Sequence, residues 1–361
     1  MKNIIFFSKN LKIGGMEKSL VSLLNELNAY YKVTLVLEKK EGALLNELSP
    51  NIKVTEYQLS TSQNVVFRKI TNFTKRIIWT LKNRNKYDFS CNYATYSIIG
   101  SKLAIISSKN SAFYIHSNYY EMYHGIKKDI YNFFEKHDLD KFNKIIFVSN
   151  ESKEGLEKVY PKLQSKFIVI NNLIDYKNIQ KKAKEPTKLN FSKKDTSLVF
   201  IGRLDNDSKN IELLLESFKL VISKSKNYKL WIIGDGPYKQ SIKNFIKEKK
   251  LEDNINLITE TLNPYIYLSQ ADALILTSNY EGFPVVYLEA LVLNKRIITT
   301  IACSDETIDM KNYITLVKKN AHDIAKNILE LSKELINYNL NFQEINNIKI
   351  EKLREIIERC K

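Results

Sequence analysis

Short apolar runs alternate with stretches of helical period along nearly the whole chain. NIIFF comes first, and the segment after it places Met16, Leu20, Leu23, Leu24 and Leu27 on one helical face. KVTLVLE, AFYIH, KIIFVS and FIVI follow as strand candidates in the first half. SLVFIG, KLWIIG, INLI, ALILTS, RIITT and ITLVK continue the series in the second half. Strands separated by helices pair in parallel, because a parallel neighbour is reached only through a long crossover. The chain is therefore expected to be α/β, with two sets of about six strands. No sequence repeat relates the two sets.

Between Lys177 and Thr196 the alternation gives way to KNIQKKAKEPTKLNFSKKDT, a Lys-rich segment that reads as a linker. The expected division is a domain over 1–175, a linker over 176–196, a second domain over 197–340 and a C-terminal segment over 341–361. Two further helices are expected near 321–335 and 344–360.

The 361 residues are 44% hydrophobic, enough for two cores. Lys and Arg number 56 against 40 Asp and Glu, a formal charge of +16 that calls for an anionic partner. Cys91, Cys303 and Cys360 are far apart and form no C-x-x-C pair, which argues against a disulfide framework or a zinc site. The apolar run at the N-terminus has the length of a strand and falls short of a signal peptide's core. No run approaches the ~20 apolar residues that span a bilayer. A soluble or peripheral cytoplasmic protein is the expectation.

Ligands in doubly wound folds bind at the carboxyl ends of the strands, so the residues after each strand matter most. Gly14 and Gly15 follow the first strand and open a helix. A glycine pair there admits a ligand to the helix terminus, and equally serves as a tight turn. His116 ends the AFYI strand. Arg203 and Lys209 flank the loop after SLVFI, ahead of an amphipathic helix, where two cations suit a diphosphate. Gly234 and Gly236, in GDGP, make a sharp turn that Gly and Pro chemistry alone explains.

SNYEGFPVVYLEAL, after ALILT, carries Glu281 and Glu289 on either side of a Gly-Phe-Pro turn. Pro284 favours a helix starting near Val285. Glu281 then lies in the loop and Glu289 about one turn into the helix, so the two carboxylates bracket its N-terminus. Free amides there can hold phosphate, and each carboxylate can accept bonds from hydroxyls on its own side. A nucleotide sugar has that order of sugar, diphosphate and ribose. Favourable charge at a helix start accounts for Glu289 alone, but not for Glu281.

FIGRL with Lys209, WIIGDGP, NPYIYLSQADALILTSNYEGFPVVYLEAL and GGMEKSL together resemble glycosyltransferase family 4, retaining enzymes of the GT-B fold. The resemblance is strongest from 198 to 291 and rests on the order and spacing of the pieces. It implies two Rossmann-like domains facing across a cleft. The N-terminal one would take a glycan or lipid-linked acceptor, and the C-terminal one a nucleotide-diphospho-sugar. It also implies a C-terminal helix that packs back toward the first domain. Arg203 and Lys209 would neutralise the diphosphate, Glu281 would hold sugar hydroxyls and Glu289 the ribose. Gly282, Phe283, Pro284 and Val285 would face phosphate and sugar, and Gly234 and Gly236 would border the donor. Gly14 and Gly15 match the family's first-loop glycines, and His116 its histidine near the sugar. No metal or other cofactor is expected, because cations do the electrostatic work. The implied role is surface polysaccharide or lipopolysaccharide synthesis in a bacterium.

Two loops depart from the family pattern. TTIACSDETI lacks the usual glycine pair, and the usual glycine near Thr259 is missing. The donor's sugar and base are therefore left open. The segment 65–86 pairs an apolar stripe with Arg68, Lys69, Lys75, Arg76, Lys82 and Arg84. It reads either as a domain helix with a solvated charged face or as a dock for anionic lipid. Two rival functions remain. A nucleic-acid-binding protein would suit the charge, but its basic residues are spread and no recognised module is present. A GT-B nucleotide-sugar epimerase would share the fold. No nucleic-acid partner is expected.

Overall fold

The computed structural model describes residues 1–358 apart from 188, 190, 193, 260, 333 and 335. Cys360 lies outside the described residues, while Cys91 and Cys303 are buried free thiols. The chain forms two compact units. The first runs from Met1 to Leu173 and takes in the C-terminal segment from Glu344, and the second is Ile174–Gln343.

In the first unit the strands are β1 (Asn3–Ser8), β2 (Lys32–Leu37), β3 (Lys53–Glu56), β4 (Phe89–Asn92), β5 (Ser111–Ile115), β6 (Lys144–Phe147) and β7 (Phe167–Val169). They form one parallel sheet in the order β3-β2-β1-β4-β5-β6-β7. Strand order reverses between β1 and β4, so the loops that leave these two strands diverge at that point. Helix α1 (Gly15–Leu27) buries Leu20, Leu23, Leu24 and Leu27 along one face. Ile4, Ile5, Phe6 and Phe7 are almost fully enclosed, as a strand covered on both faces requires. An aromatic cluster of Phe113, Phe134, Phe142 and His137 fills one side of the sheet. The second helix, α2 (Val65–Asn83), contains no buried residue.

In the second unit the strands are β8 (Thr196–Ile201), β9 (Tyr228–Ile233), β10 (Ile255–Ile258), β11 (Ala273–Leu276), β12 (Arg296–Thr299) and β13 (Ile314–Leu316). They form a parallel sheet in the order β10-β9-β8-β11-β12-β13, with the reversal between β8 and β11. The register places Leu198 opposite Ala273 and Ile201 opposite Ile233.

The structure corrects the expected linker. Its first part is a helix, Tyr176–Ala183, whose start is capped by the Asp175 carboxylate accepting from Asn178 N. Ile179 is buried and Lys181 and Lys182 close the last turn, so the lysines that looked like linker chemistry complement the helix C-terminus instead. The helix Phe342–Glu358 belongs to the first unit from Glu344 onward. Its Leu353 and Ile357 are fully buried, and Asn110 Nδ2 donates to Ile356 O at 2.9 Å.

Candidate active site

The loops after β8 and β11 meet at the strand-order reversal of the second unit. Asp205 caps the short turn Asn206–Lys209 by accepting from Ser208 N at 2.7 Å. Asn210 then adopts a left-handed conformation and caps the next helix through Leu213 N. This sharp re-aiming of the chain carries Lys209 over the carboxyl end of the sheet. Several bonds stitch that turn to the loop of Glu281. Asn279 N donates to Ser208 O at 2.8 Å, and Thr277 Oγ1 to Lys209 O at 3.1 Å. The Tyr280 hydroxyl donates to Asp207 at 2.7 Å. Burial and the neighbouring Asp207 carboxylate push that phenol above its ordinary range.

Within this frame Lys209 Nζ ion-pairs with Glu281 Oε1, and the Ser278 hydroxyl donates to the same oxygen at 2.7 Å. Both partners are largely enclosed, with side chains 20% and 13% exposed. Arg203 stands apart, 73% exposed, its Nε 3.7 Å from Asp205. A short helix, Val285–Val292, follows Glu281, with Pro284 at the N-cap and no side-chain cap. Gly282, Phe283, Pro284 and Val285 are buried around that helix start. Glu289 is buried, 2% exposed, and accepts from the Tyr265 hydroxyl at 3.0 Å. The carboxylates thus do bracket the helix start, but each already holds a protein donor.

Gly234 and Gly236 have a structural duty of their own. Gly234 has φ +148°, and a Cβ there would meet the Gly202 carbonyl oxygen at 1.8 Å. A Cβ on Gly236 would meet the Leu204 carbonyl oxygen at 2.4 Å. Both are glycine so that the β9 loop can lie against the loop of Arg203.

Arg203, Lys209, Gly234, Gly236, residues 281–285 and Glu289 all belong to the second unit; Lys209 meets Glu281, and Gly234 and Gly236 lie against the loop over 202–204, while the Arg203 side chain projects into solvent. Gly14, Gly15 and His116 belong to the first. Gly14 is extended at the N-cap of α1, with Gly15 the first helical residue. The Glu17 carboxylate lies beside Gly14, accepts from the Tyr96 hydroxyl at 3.2 Å, and is raised in pKa mainly by burial. His116 sits directly after β5, stacked on Tyr114 at 5.2 Å and against Tyr93 at 4.4 Å. One ring nitrogen bonds the Tyr93 backbone, while Nε2 is enclosed with no hydrogen-bond partner. Burial lowers its pKa to about 3, so the ring is neutral and Nε2 offers a lone pair.

The sequence reading missed the residues that hold the loops together: Asp205, Asp207, Ser278, Asn279, Tyr280 and Tyr265. The run SNY before Glu281 was their visible signal, three hydrogen-bonding side chains in a row after a buried strand. Among the described residues no group of His, Cys, Asp and Glu is arranged to hold a metal ion.

A parallel sheet whose strand order reverses near its middle, present in each of two units, is the pair of Rossmann-like units from which the GT-B fold is built. The model of the family described as Glycosyltransferase Family 4 matches residues 13–178, and that of Glycosyl transferases group 1 matches 181–346. The chain belongs to this family. An uncharacterized glycosyltransferase of Methanocaldococcus jannaschii is 28% identical over 313 residues, covering 83% of this chain and 68% of that protein. A Campylobacter jejuni relative is named N-acetylgalactosamine-N,N'-diacetylbacillosaminyl-diphospho-undecaprenol 4-alpha-N-acetylgalactosaminyltransferase. It is 33% identical over 132 residues, covering 37% of this chain and 34% of its own length. Among solved structures, a mutant of TarM from S. aureus in complex with Fondaparinux, alpha-GlcNAc-glycerol and UDP superposes with a TM-score of 0.75. It shares 15% identity, over 99% of this chain and 100% of that one, and so supports the fold.

Proposed function

We propose that this protein is a retaining glycosyltransferase that moves a sugar from a nucleotide-diphospho-sugar to a glycan or lipid-linked acceptor. The observation that carries the reading is the Lys209–Glu281 pair, held at the β8/β11 reversal beside the uncapped start of the Val285–Val292 helix. As the bond from the anomeric carbon to phosphate loosens, negative charge grows on the leaving diphosphate. Lys209, Arg203 and the helix amides stabilise that charge more in the transition state than in the bound donor. Lys209 turns from Glu281 toward phosphate, which frees the Glu281 carboxylate to accept hydroxyls of the transferred sugar. Glu289, anchored by Tyr265, holds the ribose. The acceptor hydroxyl attacks from the face the diphosphate leaves, and the leaving phosphate takes its proton, which retains configuration. In the first unit, the neutral His116 accepts a hydrogen bond from a hydroxyl of the acceptor.

The UDP in complex with the TarM mutant supports a nucleoside diphosphate, and the undecaprenol-linked substrate in the Campylobacter relative's name supports a lipid-linked acceptor. A place in bacterial surface polysaccharide or lipopolysaccharide synthesis, at the cytoplasmic face of the membrane, fits both. Calorimetry with a panel of nucleoside diphosphates and nucleotide sugars tests the donor site. Products then separate transfer from epimerisation, since a new glycosidic bond is expected and a free altered sugar would refute the reading. Transfer should persist in excess EDTA, because Lys209, Arg203 and the helix start are proposed to carry the diphosphate. Loss in EDTA that Mg²⁺ or Mn²⁺ restores would assign that charge to an ion instead.

A further inference from the structure

Helix α2 is mounted the wrong way round for a core helix. Its attachment to the first unit runs through Trp79, which lies edge-on to Tyr57 at 5.4 Å and Phe7 at 5.9 Å. The Trp79 indole N–H donates to Ser107 Oγ at 3.3 Å, and the Asn72 side chain accepts from Ser60 N at 2.7 Å. At 3.6 residues per turn, Trp79 and Asn72 define the inner face. Phe73, Val66, Ile77, Ile70, Leu81, Phe67 and Ile78 occupy the opposite arc, roughly 140° wide. They point to solvent: Val66 is 67% exposed, Phe67 60% and Leu81 81%. The border of that arc is basic on both sides. Lys69 and Arg76 lie along one edge, and Lys75 and Lys82 along the other, with Lys75 Nζ also donating to Gln58 O at 2.8 Å; Arg68 lies nearer the inner face and donates to Ser62 O at 3.2 Å. No acidic residue occurs in the helix.

We infer that the outer face of α2 docks on an anionic lipid bilayer. An apolar arc fringed by cations matches a surface with negative headgroups above a hydrocarbon interior. The helix would lie in the plane of the interface, apolar arc down. Lys and Arg stems at its border would run along the apolar layer while their charges stay among headgroups. Arg76, already 5.8 Å from the Phe73 ring centroid, shows how such a cation and an apolar neighbour share that border. A second copy fits worse, because a symmetric pairing of the two arcs would bring two carboxylate-free basic borders together. A nucleic acid would satisfy the cations and leave the apolar arc in water. Among the described residues no helix is long and apolar enough to cross a membrane, so docking would be reversible. The inference goes beyond the transferase reading and stands without it.

The test is flotation of the full chain with vesicles of phosphatidylcholine, with and without phosphatidylglycerol. Wild type should float with the phosphatidylglycerol vesicles and be released as salt rises. Phe67→Ser with Ile70→Ser and Leu81→Ser should stay at the bottom with both vesicle types, with an unchanged circular dichroism spectrum. Lys69→Gln with Arg76→Gln and Lys82→Gln should lose partition into phosphatidylglycerol vesicles by about tenfold or more. A Phe67→Trp variant should blue-shift its fluorescence on those vesicles. The inference fails if wild type ignores both vesicle types, or if the serine variant floats as well as wild type. It fails equally if lipid-free wild type sediments as a dimer that the serine substitutions convert to monomer.

Discussion

Lys209 and Glu281 neutralise one another inside a loop that neither needs for its shape. Asp205, Asn210, Asn279 and Thr277 hold the backbone around them. Lys209→Ala should therefore leave folding nearly intact and weaken nucleoside diphosphate binding at least tenfold, since a charge-assisted bond is worth ~1.5–3 kcal/mol. Calorimetry on wild type and variant reads this directly, and equal affinities would remove Lys209 from the donor site. Glu281→Gln should spare diphosphate binding and depress transfer. His116 and His137 make a separate prediction about acid. Burial lowers both, His116 to about 3 and His137 to about 4, the latter also through Lys102. Each stays neutral when folded but takes up a proton when unfolded below the ordinary histidine pKa near 6.5. Their contribution to stability is thus complete above pH ~6.5 and declines as pH falls toward the folded values. Urea unfolding should show wild type losing stability between pH ~7 and ~5, and His116→Gln losing less. Parallel losses would mean that His116 does not stay neutral.

At the scale of elements, what could be read in the sequence was whatever buries apolar side chains with regular period. β1, β2, β5 and β6 announce themselves because both faces are covered. β3 and β4 did not, for two different reasons. β3, KVTE, is an edge strand with a single apolar residue. β4, FSCN, is central and fully buried, yet Ser90 and Asn92 stand where an apolar run was sought. Ser90 donates to Ala104 O, and the Asn92 amide nitrogen to Ala94 O, Ser97 O and Ser101 Oγ, so these donors have partners that periodicity cannot show, while Asn92 Oδ1 has none among the described residues. The outward arc of α2 was equally hidden, since a hydrophobic stripe tells where apolar residues gather but not which way they face. The candidate site residues stand out in the sequence because Gly, Pro, Lys and Glu punctuate the strand ends; the bonds between their loops link residues about 70 positions apart and leave no local mark. Gly236→Ala tests how tightly those loops are set. Its Cβ would strike the Leu204 backbone, which cannot swing aside as a side chain can. Stability should fall by ~1–3 kcal/mol in denaturant unfolding. An unchanged midpoint would mean that the two loops can separate freely.

Across the whole molecule, the chain passes from the first unit to the second after Leu173 and returns before Glu344. The first unit is completed only by the end of the chain. Lys349 is almost fully buried, and its ammonium donates to Asn172 O at 3.1 Å. Lys352 reaches Val169 O, while Glu358 pairs with Lys2 at 2.7 Å and accepts from the Tyr31 hydroxyl at 2.9 Å. The last helix therefore bonds to the end of β7 and to the segment that leaves it, as well as to the far side of β1. Leu353 is 0% exposed within this packing. Leu353→Ala should cost ~2–5 kcal/mol, because the lost methyl groups leave a cavity that a rigid sheet cannot close. That loss belongs to the unit of β1–β7, whereas the proposed diphosphate site is built wholly from residues 202–289. The variant should thus unfold at lower temperature and still bind the nucleoside diphosphate with wild-type affinity at ~25 °C, where both units remain folded. Differential scanning calorimetry and titration calorimetry on one preparation give both numbers. Loss of binding in a variant whose spectrum is native would show that the donor site depends on the first unit's packing.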